Sequence, residues 1–353
     1  MRKGKRLIAW IMAVVMLFTI CVFGGNGTAE AAATTPVAKH GRLSVKGADL
    51  VDSKGNKFQL RGISTHGINW DVGSPYVNKK AFKTLRDDWG VNAIRLAMYT
   101  EEYNGYCSGG SQAKLRKLVD KGVGYATDLG MYAIIDWHIL SDGNPNKNKA
   151  QAKKFFTTMA KKYKNNKNVI YEICNEPNGC GWKEIKSYAT DIIKTIRKYD
   201  KKAVIIVGTP TWSQLGTDGT SNEVADSPIK GYKNIMYSLH FYASEWAHNE
   251  YLPAKVAYAR KKKLPIIVSE FGLSPASGGG AINKASADKW MKMLNKYNIS
   301  YFCWSLSNKN ESASLLKPST KKTSGWKSGD LSTAGKYIKK KYLARKKALG
   351  KKA

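Results

Sequence analysis

An α/β barrel of eight parallel strands is predicted by three features of this 353-residue chain. Eight short apolar runs recur along it, and helix-length amphipathic stretches lie between most of them. The runs are apolar almost throughout, the pattern of strands covered on both faces, as in a parallel sheet. No Gly-rich phosphate loop follows the first run, and no Pro- or Ser-rich linker divides the chain. Both facts weigh against an open doubly wound sheet with a second domain. Eight strand–helix units close into a (β/α)8, or TIM, barrel.

The elements follow in order. Residues 1–33 read as a secretory signal: "MRKGKR" is basic, "LIAWIMAVVMLFTICVF" is apolar, and "TAEAAA" offers Ala-x-Ala sites after Ala31 or Ala33. The apolar run is roughly 17 residues, the lower limit for a membrane span. The small-residue exit favours cleavage, so a secreted, extracellular protein without a membrane anchor is expected. Ile20 before Cys21 argues against a lipoprotein signal. Residues 34–343 then form one domain and 344–353 a basic tail. Within that domain "RLSVKGADLVDSKGNKFQL" alternates around Ser53–Asn56 and predicts a short β-hairpin.

The eight runs are "FQLRGIST", "NAIRLAMY", "YAIIDWHI", "VIYEICNE", "AVIIVGT", "IMYSLHFY", "LPIIVSEF" and "YFCWSLS". Between the fourth and fifth, Ile185, Tyr188, Ala189, Ile192, Ile193 and Ile196 recur at three- and four-residue steps, one face of a helix.

Charge and cysteines exclude some functions. Lys and Arg number 59 against 26 Asp and Glu, a net charge of +33. The lysines are spread at helical spacing and no nucleic-acid motif accompanies them, so nucleic acid is not an expected partner. Weak attraction to anionic surfaces such as cell wall or plant polymer is expected instead. Cys107, Cys174, Cys180 and Cys303 form an even set, which permits disulfides in an exported chain. Cys174 and Cys303 lie in apolar runs, where a free thiol packs as a small hydrophobe, so pairing stays open. No Cys/His spacing suggests zinc, and neither metal nor cofactor is expected.

In a barrel the functional groups stand where strands end. Those ends carry His66 and Trp70 (first), Arg95 and Tyr99 (second), Asp136, Trp137 and His138 (third), and Asn175 and Glu176 (fourth). The fifth leads to Trp212, the sixth ends with His240 and Tyr242, and the seventh with Glu270. The eighth carries Trp304, with Lys309 and Glu311 beyond. Glu176 and Glu270 face each other across the ring. Glycoside hydrolysis needs such a pair: one acid protonates the leaving oxygen and a second carboxylate works from the other side. Trp and Tyr around them offer flat apolar faces to sugar rings.

The phrases "ISTHGINW", "NAIRLAMYT", "IIDWHILSDGNPN", "NVIYEICNEPNG", "IIVGTPTWSQ", "SLHFYA", "VSEFG" and "WSLSNKNE" occur in that order. In this the sequence resembles secreted bacterial endo-β-1,4-glucanases (cellulases) of glycoside hydrolase family 5, of the single-barrel kind, over roughly His40 to Gly335. The resemblance implies a retaining enzyme acting within cellulose, carboxymethylcellulose and mixed-linkage β-glucan, as a monomer. It implies Glu176 as acid/base and Glu270 as nucleophile. Arg95 and Tyr242 would keep Glu270 ionised, and Asn175 would hold the 2-hydroxyl. His138 and His240 would be active-site hydrogen-bonding groups, and Trp304 the floor under the reacting sugar. His66, Trp70, Tyr99, Lys309 and Glu311 would line the non-reducing side and Trp212 the leaving side. Two departures stand out: Trp246, where relatives often have His, and Pro275, where they tend to be acidic or small.

Other readings of these residues stay in view. Glu172 has the strand parity of Glu176 but lies about 13 Å deeper in an extended strand, and reads as a buried structural acid. Arg95 could pair with a core carboxylate, and the two histidines could be satisfied core residues. Asp136 could serve either role, and Trp89 and Trp137 read as packing. Burial and the charge of Glu270 are expected to raise the pKa of Glu176. The same fold hosts mannanases and xylanases, and a catalytically silent cell-wall or polyanion binder is the alternative outside enzymes.

Overall fold

The computed structural model describes residues 35–350; the predicted signal and the last three residues of the tail lie outside them. A short helix α1 (Pro36–His40) leads into the hairpin of β1 (Ser44–Lys46) and β2 (Asp49–Val51). The hairpin turn falls at Gly47–Ala48, earlier than the alternation indicated, and Gly47 takes the positive φ the turn requires. The predicted turn at 53–56 also exists, but it closes on a single bridge, Val51 to Lys57. The Asp52 carboxylate shapes it by accepting the backbone N–H groups of Lys54 and Asn56, each at 2.9 Å.

Eight parallel strands form the barrel: β3 (Arg61–Thr65), β4 (Ala93–Tyr99), β5 (Tyr132–His138), β6 (Val169–Glu172), β7 (Ile205–Val207), β8 (Ile235–Tyr242), β9 (Ile266–Gly272) and β10 (Tyr301–Leu306). Each pairs with its neighbours in sequence, and β10 returns to β3, so the sheet closes without an edge. Helices α2 (Lys79–Trp89), α3 (Gln112–Asp128), α4 (Lys149–Tyr163), α5 (Trp182–Arg197), the short α6 (Pro210–Ser213) and α7 (Glu223–Asp226), α8 (Trp246–Lys261), α9 (Lys284–Lys296) and α10 (Thr333–Gly350) form the connections and the outer layer. Residues 344–350 continue α10. No helix among the described residues is long and apolar enough to cross a membrane.

Local chemistry sets the helix limits. In α2, Asn78 caps the N-terminus by accepting the N–H of Ala81, and Gly90 ends the helix in the left-handed region. In α5 all six residues of the predicted stripe are buried against the barrel. Burial of each large apolar side chain contributes about 1.5–3 kcal/mol, so such a stripe holds the helix in place. Trp137 points outward from β5 onto Phe155 and Phe156 of α4, and Trp89 packs on Trp326: both tryptophans are packing residues.

The barrel interior is layered. At its N-terminal end Leu43, Leu50 and Phe58 from the hairpin region plug the opening, over Ile134, Ile170, Ile206 and Ile267. Toward the C-terminal end one irregularity decides the site. Ser238 of β8 pairs with Ile267 of β9, yet His240 pairs with Glu270. On the other side Tyr301 of β10 pairs with Val268, and Cys303 with Phe271. Two residues thus span three in β9, a bulge with one extra residue. It lets Ser269 and Glu270, adjacent in sequence, both face the interior.

Candidate active site

Arg95 organises the interior at the C-terminal end. Its side chain is fully buried. Nε donates to Glu172 Oε2 at 2.6 Å, Nη1 to Glu270 Oε2 at 2.9 Å and Nη2 to Asn175 Oδ1 at 2.6 Å. Asp136 Oδ2 lies 3.1 Å from Nη2. Burial opposes the guanidinium charge, but Asp136, Glu172 and Glu270 outweigh it and hold its pKa above the ordinary value. The second oxygen of Glu270 accepts from the Tyr242 hydroxyl at 2.7 Å. Two donors therefore stabilise negative charge on Glu270 and aim its carboxylate.

Glu176 stands in a different environment. Its side chain is 13% exposed, at the mouth. Burial pushes its carboxyl up to about 8; Arg95 pulls the other way, while Asp136 and Glu172 add to the rise. The like charges that add to the rise are Asp136 and Glu172. Oε1 of Glu176 meets His240 Nδ1 at 2.8 Å. Burial lowers the His240 pKa to about 4, so the ring is neutral near pH 7. Its Nε2 lies 3.0 Å from Ser238 Oγ and 2.9 Å from Ser269 Oγ, and the two hydroxyls bond each other. Glu172 Oε1 lies 4.0 Å from the same nitrogen. Glu172 and Glu176 thus flank one imidazole from its two nitrogens.

His138 completes this layer. Nδ1 meets Asp136 Oδ2 at 2.6 Å, and Nε2 faces Asn175 Nδ2 at 3.2 Å. Burial holds this ring's pKa near 3. A neutral ring that accepts from the Asn175 amide carries its proton on Nδ1, donated to Asp136. Asn175 is thereby oriented on both sides, with its oxygen toward Arg95.

Beside the pair lies an aromatic shelf. His138 stacks on Trp304 at 5.2 Å between centroids and 18° between planes. Tyr99 sits 4.1 Å from His138 and 4.5 Å from Trp70, and His66 lies 5.2 Å from Trp304. His66 Nδ1 accepts the N–H of Gly67, which turns Nε2 toward Glu311 Oε1 at 3.8 Å. Lys309 pairs with the other Glu311 oxygen at 2.6 Å. Glu311 Oε1 is buried and has no hydrogen-bond partner among the described residues. Trp212 stands apart, 44% exposed on the turn after β7. Its N–H bonds Pro177 O at 3.0 Å, which joins that turn to the loop after Glu176.

One oxygen of Glu176 and one of Glu270 lie within 4.8 Å of each other, with a ring nitrogen of His240 equally near. Three such atoms are close enough to hold a metal ion, yet each carboxylate and the ring already hydrogen-bonds within the protein. Paired carboxylates at opposed strand ends, beside an aromatic shelf, suit glycosidic-bond hydrolysis. Residues 51–310 match the family model described as cellulase (glycosyl hydrolase family 5). The chain belongs to glycosyl hydrolase family 5.

It is a glycoside hydrolase of the endoglucanase type. An endoglucanase of Clostridium saccharobutylicum is 47% identical over 95% of this chain and 72% of its own length. Endoglucanase 5 of Pectobacterium carotovorum subsp. carotovorum is 45% identical over 92% of this chain, which spans 62% of that relative. Among solved structures, cellulase Cel5C_n superposes with a TM-score of 0.82 at 39% identity, covering 88% of this chain and 94% of that one. The catalytic domain of Thermobifida fusca endoglucanase Cel5A gives 0.79 at 36% identity, covering 88% and 99%.

In this family 5 hydrolase, thirteen of the fourteen residues given a role from the sequence join the two connected clusters described, the carboxylate pair with its hydrogen-bonded neighbours and the aromatic shelf. Trp212 is tied to them through backbone alone. Arg95 pairs with the core acids Glu172 and Asp136 and also with Glu270. Sequence reasoning missed Ser238 and Ser269 as neighbours of His240 and left Asp136 undecided. The signal for Asp136 was its spacing: two residues before His138, it shares that residue's face of β5. Cys107, Cys174, Cys180 and Cys303 are all free thiols.

Proposed function

We propose that this chain is a retaining endo-β-1,4-glucanase in which Glu270 is the nucleophile and Glu176 the acid/base. The approach of the two carboxylates to within 4.8 Å carries the reading. Retaining glycosidases keep the pair about 5–5.5 Å apart, whereas inverting ones need roughly 6.5–9.5 Å to admit a water between.

The chemistry follows from the two environments. Glu270, held by Arg95 and Tyr242, attacks the anomeric carbon while Glu176 gives its proton to the departing oxygen. The C–O bond breaks, and a glycosyl ester to Glu270 forms. A water then enters from the leaving side. Glu176, now a carboxylate, takes its proton, the oxygen attacks the anomeric carbon, and Glu270 leaves. Two inversions give net retention. A carboxyl near 8 is protonated at neutral pH, as the first step requires. Hydrogen-bonded neutral His240 and the serine pair orient Glu176. Asn175, the residue proposed to hold the sugar 2-hydroxyl, is fixed by Arg95 on its oxygen and by His138 and the Ile139 carbonyl on its nitrogen. Trp304 and His138 underlie the reacting ring, and His66, Trp70, Tyr99, Lys309 and Glu311 bind the non-reducing side. Trp212 faces the leaving side.

The substrates are cellulose-like and mixed-linkage β-glucans, and residues 1–33 direct secretion. The test is product stereochemistry on barley β-glucan and carboxymethylcellulose. Proton NMR should first record the β-anomer at new reducing ends. Initial release of the α-anomer, or faster cleavage of mannan or xylan, sinks this reading.

A further inference from the structure

Large apolar side chains are exposed at six described positions: Tyr103, Leu140, Trp212, Trp246, Tyr251 and Leu343. All but Leu343 follow the C-terminal ends of barrel strands, on the rim that carries the reacting pair. Trp246 is 69% exposed and opens α8, immediately beyond β8 with its His240 and Tyr242. Tyr251, one turn further, meets it edge to face at 5.8 Å. Neither side chain takes part in the cluster around Arg95.

This pair is anchored to the Trp212 turn. His248 Nδ1 accepts the Tyr242 N–H at 2.9 Å, and its Nε2 lies 3.2 Å from the side-chain amide of Gln214. Lys255 Nζ donates to the carbonyls of Gln214 and Asp218. Gly219 lies against the Tyr251 ring so closely that a Cβ there would sit 2.8 Å from it. Thr211, Trp212 and Ser213 all take positive φ, a conformation rare for such residues, and it holds the Trp212 ring out. The segment bearing Trp212 and the helix bearing Trp246 are therefore locked to one another, and their rings are presented on one preorganised frame.

We infer that Trp246 and Tyr251 form a distal aromatic platform that binds the leaving-group portion of a β-glucan chain, beyond Trp212. The inference rests on the glucanase reading above. Pyranose rings present apolar C–H faces, and flat aromatic rings held in place are their complement. The occupant is the same chain that crosses the reacting pair, because the platform continues the rim from the Glu176 loop through Trp212 to α8. Substrates too short to pass Trp212 do not reach it.

The experiment compares cellohexaose with cellotriose in the wild type, in Trp246→Ala and in the double variant Trp246→Ala/Tyr251→Ala. The readout is the ratio of the two kcat/KM values, which does not depend on the folded fraction. The ratio should fall about tenfold in the double variant, and Trp246→Phe should restore most of it. A ratio within about twofold of wild type in the double variant overturns the platform, even where retention on insoluble cellulose has dropped. A wild type that cleaves neither oligosaccharide would sink the glucanase reading instead.

Discussion

Along five barrel strands, a two-residue step changes the chemistry of the interior. Ala93, Ile134, Ile170, Met236 and Ile267 belong to the apolar layer under the hairpin plug. Arg95, Asp136, Glu172, Ser238 and Ser269, one layer up, form a hydrogen-bonded polar floor. Both layers are buried equally well. The lower layer gains from burial outright. The upper one loses hydration on every group and recovers it only through mutual pairing, which makes a buried ion network weak support for stability. One guanidinium there faces three carboxylates, so full ionisation is unfavourable; burial, against the pull of Arg95, leaves Asp136 near 7. The contrast teaches that stability and chemistry are separable in this barrel. Substitutions below should cost folding, and substitutions above should cost rate and alter its pH dependence.

The largest effect belongs at the open end. Glu270→Gln and Glu176→Gln should each lower turnover on β-glucan by about a thousandfold or more. Melting temperatures should stay near wild type, because neither residue belongs to the apolar core. A large loss of stability with a modest loss of rate would reverse the assignment of roles to the two ends.

Phe58→Ala tests the closed end. Phe58 is 7% exposed and packs on His40 and Tyr132 at 4.4 and 5.5 Å between centroids. Its removal should cost about 3–5 kcal/mol of folding free energy, measured by denaturant unfolding. The kcat of the folded enzyme should remain within about twofold, since the plug lies below the polar layer. A fall in kcat matching the loss of stability would mean that the layers are coupled.

The third effect is a shift. In the proposed role of acid Glu176 must be protonated, so activity should decline as pH rises through about 8. Glu172 raises that value with its negative charge, as Asp136 does, while Arg95 lowers it and the neutral His240 ring bridges the two glutamates. Glu172→Gln removes one repelling charge and releases Arg95 from one partner. Both changes favour ionised Glu176, so the alkaline limb of kcat/KM should move toward acid by about one unit. A limb that stays in place would show that Glu172 serves packing alone.

How much of this was legible depends on the pattern each residue obeys. The barrel was readable because eight apolar runs and their helices keep their own periods, and the α5 stripe is buried at every predicted position. The facing carboxylates Glu176 and Glu270 were readable as acids at the ends of apolar strands. What strict alternation could not supply were its exceptions. With Ile267 inward, a period of two puts Ser269 inside and Glu270 outside; the β9 bulge brings both in. The alternation ran across two turns, Gly47–Ala48 and Ser53–Asn56, each with a glycine at positive φ, and only the first joins two strands by more than a single bridge.

The smallest predicted effect tests whether the closed end is silent. There a cleft of about 670 Å³ is lined by Arg42, Lys164, Lys167, Lys201 and Lys202, with Asp200 as the one acid. Asp200 is occupied, since its Oδ1 accepts the N–H groups of Lys202 and Ala203 at 3.1 and 2.9 Å. The lysines therefore present largely uncompensated charge, on the face opposite the carboxylate pair. Surface charges away from a packed feature change stability by less than about 0.5 kcal/mol. Lys201→Gln/Lys202→Gln should accordingly leave both melting temperature and rate on neutral β-glucan close to wild type. Carboxymethylcellulose is the sharper probe, because it is anionic and salt screens its attraction to lysine over about 10 Å at 0.1 M. If the closed end takes no part in turnover, the variant and wild type should show the same ratio of carboxymethylcellulose to β-glucan activity at low and at high salt. A ratio that falls in the variant at low salt and recovers at high salt would mean that the basic end captures anionic polymer for the open end, and the division between the two would then hold for the reaction but not for the encounter.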